Sequence, residues 1–214
     1  MSSGASTGMT AADRPALLMV AMEPPAALED EFNDWYDTEH LPQRLALPGF
    51  VAGSRWVCIH GWPRWLALYD LASEAAVGSD AYRGVSGAQS TPWSRRILPR
   101  TVGRSRVAAV ALDGEPYGAQ LEPHRTSRLL VMGVALRSGG PPPHAISDAV
   151  RRALAQREGV LQQRAFVEAG TALWLLVAFD APVSSAALAE DLGRPCGAGA
   201  TTFNLYLPYQ RGRP

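Results

Sequence analysis

A chain of 214 residues with a formal net charge of zero is long enough for one domain or two small ones, and it carries no field that would draw nucleic acid or an anionic membrane. Every basic residue is arginine, and the lack of lysine excludes Schiff-base chemistry, a lysine-bound pyridoxal phosphate and a Walker-type phosphate loop. Cys58 and Cys196 have neither CxxC nor paired spacing, which predicts a reducing, cytoplasmic setting, and the longest apolar runs are too short to span a bilayer.

Residues 1–14 lack the apolar core of a signal peptide and read as a flexible tail. Ala16 to Met22 is a short apolar run ending at Glu23-Pro24-Pro25, the pattern of a buried strand meeting a turn. Glu29 to Phe50 follows as one amphipathic helix that runs out at Leu47-Pro48-Gly49. Its first turn holds Glu29, Asp30 and Glu31, which suit the positive end of a helix dipole, and Arg44 suits the negative end. Phe50 to His60 reads as a strand, Gly61-Trp62-Pro63 turns it, and Arg64 to Leu71 returns as a hairpin partner. Ser73 offers a cap for a second helix opened by Glu74 and interrupted by Gly78, Gly84 and Gly87. Thr91 to Leu98 adds a helical turn, and Thr101 to Leu112 is a long strand.

The order β-α-β-β-α-β defines a ferredoxin-like unit over residues 15–112. Residues 113–126 read as a linker, and residues 127–210 repeat the order. Strands are expected at Arg128 to Leu136, Val160 to Glu168, Thr171 to Phe179 and Thr201 to Tyr209, with helices at His144 to Arg157 and Pro182 to Leu192. Strands such as Leu173 to Phe179 are apolar on both faces, so the sheet face opposite the helices must also be covered. The expected architecture is therefore α+β: two tandem ferredoxin-like (βαββαβ) units with their sheets packed face to face, a single-chain version of a dimeric α/β barrel.

The first helix carries the chemistry. Phe32, Tyr36 and His40 recur at spacing four and share one stripe, with Trp35 and Glu39 flanking it. A helix needing only a core contact would place Leu, Val or Ile there. His40 is the natural proton-transfer group near neutral pH, with Tyr36, Asp37 and Glu39 within reach to orient it. The alternative is a core-edge histidine satisfied by a backbone carbonyl, with the two acids merely solvated.

The run Phe32-Asn33-Asp34-Trp35-Tyr36-Asp37-Thr38-Glu39-His40-Leu41-Pro42, then Leu47-Pro48-Gly49-Phe50, resembles the EthD-like branch of the dimeric α/β-barrel superfamily. Trp65 to Leu71 and Thr91-Pro92-Trp93-Ser94 are similar to that family too, so the resemblance covers roughly residues 16 to 110. It implies a pocket between sheet and first helix, with His40 as the family's helix histidine. It also implies an activity among decarboxylation, cyclisation, lactone isomerisation and cofactor-free oxygenation. The second-half helix, Ala145 to Arg157, has no aromatic residue and no internal histidine, which departs from the pattern.

Five of the six tryptophans lie in the first half, so a single aromatic-lined pocket is expected there, suited to a flat organic substrate. Trp35, Trp56, Tyr69 and Trp93 are the candidate substrate-binding aromatics. Arg44 and Arg55 are candidate anion clamps for a carboxylate or enolate. His40, His60, His124 and His144 are scattered without metal-ligand spacing, so no metal is expected. The superfamily has haem-binding members whose ligand lies in the later unit. His124 and His144 offer no such ligand on a helix interior, so no cofactor is expected. The expected partner is a small-molecule substrate, with no nucleic acid and no membrane, and a homodimer stays open. The expected function is a cofactor-independent lyase, isomerase or cyclase acting on an aromatic, polyketide-like or β-keto molecule by general acid/base catalysis. A cofactor-free monooxygenase and a non-catalytic, small-molecule-binding or stress-related protein are the alternatives.

Overall fold

A computed structural model describes residues 14–112, 121–192 and 200–210; the expected tail, but for its last residue, and most of the expected linker fall outside them. Eight strands appear in the expected order: β1 (Ala16–Glu23), β2 (Phe50–His60), β3 (Trp65–Leu71), β4 (Val102–Ala111), β5 (Arg128–Ala135), β6 (Val160–Glu168), β7 (Ala172–Phe179) and β8 (Ala200–Tyr209). The strand order is β4-β1-β3-β2 in the first half and β6-β7-β5-β8 in the second, with every pairing antiparallel. The two sheets do not simply face each other. β2 pairs with β8, and β4 with β6, so all eight strands close into one barrel. Closure removes the exposed sheet edges that two separate four-stranded sheets would have left unpaired.

Strand periodicity sends alternate side chains to opposite faces. Leu17, Met19, Trp56, Leu66, Leu68, Val107 and Phe166 fill the barrel interior. Ala16, Leu18, Trp65, Tyr69 and Leu71 face outward, beneath the first-half helices. This double burial explains why every residue of β3 is buried although it includes Asp70. Asp70 pairs inside the barrel with Arg164 of β6, both almost fully enclosed, and the pair ties the two halves together.

The first helical segment departs from a uniform helix. It runs as α1 (Glu29–Trp35), a π turn at Tyr36–His40 and α2 (Leu41–Leu45). Pro42 has no N–H for the carbonyl four residues back, and its ring crowds that carbonyl, so the turn before it widens. The amide of Leu41 accordingly reaches the Tyr36 carbonyl, five residues back. The second helical region consists of short turns. The cap expected at Ser73 falls instead at Ser79, whose Oγ accepts from the Tyr82 amide at 3.1 Å and opens α3 (Asp80–Arg83). Thr91 caps α4 (Pro92–Ile97) in the same way.

In the second half, α5 (Pro143–Ala153) and α6 (Ser185–Leu192) cover β5 to β8 with an almost wholly aliphatic layer that includes Leu130, Val150, Leu175, Leu188 and Leu205. Removing one member of the enclosed Asp70–Arg164 pair leaves the other charge without that counter-ion. Asp70→Ala is therefore expected to lower stability by about 3–5 kcal/mol. Urea denaturation at neutral pH measures it; a loss below about 1 kcal/mol would show that the pair does not hold the halves together.

Candidate functional site

The widened turn sets the geometry around His40. Five residues separate Trp35 from His40, and the π turn stacks their rings 4.4 Å apart at 36°. Tyr36 meets the imidazole edge-on at 5.1 Å, as the spacing-four stripe predicts. All three side chains are buried. Beneath them lies Tyr69 of β3, whose hydroxyl interacts with that of Tyr36 without an aligned hydrogen bond. Burial pushes both phenols up from their ordinary pKa, more strongly for Tyr69, so both keep their protons.

The His40 Nδ1, the Tyr36 and Tyr69 hydroxyls, Asp37 Oδ2, Trp65 Nε1 and Ser86 Oγ are buried with no hydrogen-bond partner. Buried polar atoms are normally satisfied, which singles out this face as the candidate site. His40 is held at a pKa of about 3, first by desolvation, then by the fields of Arg44 and Arg55. The imidazole is therefore neutral at physiological pH.

The two arginines differ. Arg55 is committed to structure: its guanidinium donates to Asp37 Oδ1 at 2.5 Å and to Asn33 Oδ1 at 2.7 Å. It also lies within 6 Å of the rings of Phe32, Tyr36, Trp65 and Tyr209. Arg44 is equally buried, yet it donates only to the carbonyl of Val85 at 3.1 Å and to Gln43 Oε1 at 3.2 Å. Its guanidinium sits 5.2 Å from the Tyr82 ring, and among the described residues no carboxylate pairs with it.

Several sequence candidates fall into other roles. Asp37 holds Arg55 instead of the imidazole. Glu39 accepts from Thr91 Oγ1 at 2.5 Å, Thr91 Oγ1 in turn accepts from the Ser94 hydroxyl, and Ser94 Oγ accepts from Trp35 Nε1 at 3.1 Å. This chain of bonds fixes α4 against the first helical segment. Trp93 is half-buried and donates to Glu31. Trp56 points to the other face of β2 and is sealed in the barrel interior, away from His40. Asn33, Tyr82 and Val85 were not anticipated. The spacing of Asn33 to Asp37 is a signal for the first, whereas the irregular chain around Tyr82 and Val85 offered none. A cavity of about 90 Å³, open at its mouth, lies inside the barrel and is not lined by Trp35, Tyr36 or His40.

No family model matches the chain, and no curated protein does. Solved structures do. An anthrone oxidase-like protein superposes with a TM-score of 0.63 at 12% identity, over 92% of each chain. A candidate monooxygenase from Fusobacterium nucleatum subsp. nucleatum gives 0.58 at 8% identity, over 92% of this chain and 98% of its own. A heme-binding protein from Thermus thermophilus gives 0.57 at 12% identity, over 92% of each chain. The chain thus shares the fold of these structures. At such identities the likeness carries the architecture and not the reaction.

Haem, implied by one of these neighbours, does not fit the residues present. His60, His124 and His144 are exposed, and His40 is wedged between aromatic rings. Beneath α5 and α6 the layer is aliphatic and closely packed. Among the described residues no cluster of His, Cys, Asp and Glu could hold a metal ion, and no helix is long and apolar enough to cross a membrane.

The depressed pKa of His40 sets a pH dependence. Between about pH 3 and pH 6.5 the unfolded chain binds a proton at this residue and the folded chain does not. Stability is therefore complete above 6.5 and falls as the pH drops through that window, by up to about 4 to 5 kcal/mol from this group. His40→Gln is expected to flatten the slope of unfolding free energy between pH 5 and 7. Urea titrations of both proteins across that range test it, and equal slopes would show that the imidazole titrates normally.

Proposed function

We propose that the chain is a cofactor-independent enzyme acting on a small aromatic, polyketide-like or β-keto acid, with His40 as the proton-transfer group. The observation that carries this reading is the set of unsatisfied polar atoms of His40, Tyr36 and Tyr69 beside Arg44, a buried cation with no carboxylate partner among the described residues. An anionic substrate would supply the missing counter-charge, and a guanidinium binds carboxylates and enolates well. The neutral imidazole accepts a proton from the substrate. The resulting enolate oxygen is held by Arg44 and the two phenolic hydroxyls, and His40, now an imidazolium, returns the proton to carbon. Negative charge arriving beside Arg44 also offsets one of the fields that depress the histidine's pKa. Tyr36 touches the imidazole, Trp35 packs on its face, and Asp37 and Glu39 position the helix that carries them.

The same site suits a cofactor-free oxygenase when the carbanion meets dioxygen, which is in keeping with the oxidase-like and monooxygenase neighbours. The matching strand orders of the halves support reading the chain as two tandem ferredoxin-like units. In that reading the first unit keeps the site, and the aliphatic second unit closes the barrel.

One feature favours a second reading, a binding protein in which His40 is structural: its ring is fully packed by its own neighbours. Assays with benzoylacetate for decarboxylation and with anthrone for oxygen uptake separate the two. The wild type is expected to turn over at least one of them, with no inflection in kcat/KM near pH 6.5, because His40 is already neutral there. His40→Gln should lose about a hundredfold or more in kcat/KM while melting near the wild-type temperature, and Arg44→Met should chiefly raise KM. A variant that melts early but works normally when folded would establish the structural role. Absence of turnover by the wild type would overturn the enzyme reading for this substrate class.

A further inference from the structure

The barrel interior holds a separate feature that proton transfer at His40 does not use. Its cavity opens beside the β2–β3 turn and is framed by two tryptophans, neither of them on the His40 face. Trp62, at the turn, is 58% exposed, which is costly for an indole unless it has a purpose. It is nevertheless fixed in place. Gly103 of β4 adopts φ +60°, and a Cβ there would sit 1.9 Å from the Trp62 ring, so the glycine lets the indole lie against the strand. The Trp62 carbonyl accepts from Asn204 Nδ2 at 3.0 Å, and the same amide group donates to the Tyr206 hydroxyl at 3.0 Å. Gly61, at φ +110°, leaves the room that Asn204 Oδ1 occupies.

Trp174 is seated by a comparable device. A Cβ at Gly133 of β5 would come within 2.8 Å of its ring, while its Nε1 donates to Glu168 at 2.9 Å. Two indoles docked on glycines of different strands therefore frame one opening. Between them the cavity presents Ser105, Thr202, Asn204 and Tyr206 as polar groups on otherwise aliphatic walls. Among the described residues no carboxylate, guanidinium or imidazole lines it. Burial keeps the Tyr206 phenol protonated, so this wall stays uncharged across the physiological range.

Aromatic walls with a few fixed hydrogen-bonding groups suit a flat ring system, and the mouth of a β-barrel is a common location for such a site. The absence of any charged group in the lining disfavours an ion, which would be stripped of water without a partner. We propose that the barrel mouth is a second small-molecule site that takes an uncharged, planar aromatic compound bearing a hydrogen-bonding group. The ring lies between Trp62 and Trp174, and the polar group meets Asn204, Thr202 or the Tyr206 hydroxyl. The site binds without reacting, since none of its groups is a base or nucleophile at neutral pH.

Nile red, an uncharged planar dye that fluoresces in apolar surroundings, is a suitable probe. Titration of the full chain is expected to show one equivalent bound, with quenching of tryptophan emission. Trp62→Ala, at an exposed position, should weaken binding at least about tenfold. Ala21→Phe, which fills the cavity, should abolish it while the near-ultraviolet dichroism of the fold is kept. His40→Gln should leave the titration unchanged, and the sulfonated anionic dye 1-anilinonaphthalene-8-sulfonate should not displace Nile red. Should the dye fail to bind, or bind Trp62→Ala and Ala21→Phe as well as the wild type, the barrel-mouth site would be refuted. Loss of binding in His40→Gln alone would assign the dye to the helix face instead.

Discussion

Arg55 is a buried cation on β2, the strand through which the first half joins β8 of the second, and its register partner across that seam is Tyr209. The Tyr209 ring lies 4.6 Å from the guanidinium, with Trp65 from β3 and Phe32 and Tyr36 from the helical segment on other sides. Asp37 and Asn33 complete its hydrogen bonds from the helix. A charge this deeply enclosed is tolerated only when it is paired and bonded. Helix, hairpin and barrel seam are therefore required to meet at one point, and Arg55 is the rivet that joins them.

That rivet positions the chemistry next to it. Asp37 is drawn to Arg55 and Glu39 to Thr91, and neither acid is bonded to the imidazole. His40 is left neutral, desolvated and under the field of two cations. Of those cations only Arg55 has a counter-ion among the described residues. The described residues of the second half offer no equivalent: the region beneath α5 and α6 is aliphatic, with Gln163 donating to Ser147 at its border. The two halves share a strand order but differ in what lies under their helices, buried polar groups in one and an almost wholly aliphatic layer in the other.

The sheet also separates two environments by its pleat. Arg55 and Trp56 are neighbours in sequence, yet one faces the helix-side polar groups and the other the barrel interior. On the helix side charge dominates; inside lie the Asp70–Arg164 pair and a cavity framed by indoles, one of which donates to Glu168.

Much of this was legible from residue order. Strand periodicity, the Gly61-Trp62-Pro63 turn and the β-α-β-β-α-β order follow from local sterics and burial pattern, and the bounds of β2 and β6 fall where the residues predict. The load of aromatics and His40 on one helix singled out the half whose buried outer layer holds Phe32, Trp35 and Tyr36. Tertiary structure alone decided the rest. Closure of the barrel depends on edges that meet across more than a hundred residues of chain. The partners of Asp37, Glu39 and Arg55 were chosen by three-dimensional proximity, since any nearby acid satisfies a guanidinium equally well on paper. The π turn was implicit in Pro42, but its consequence, an imidazole stacked on Trp35, appears only once the helix is laid on the sheet. A sequence specifies which groups a segment offers; the fold decides which other groups they reach, because reach is a property of distance in space and not along the chain.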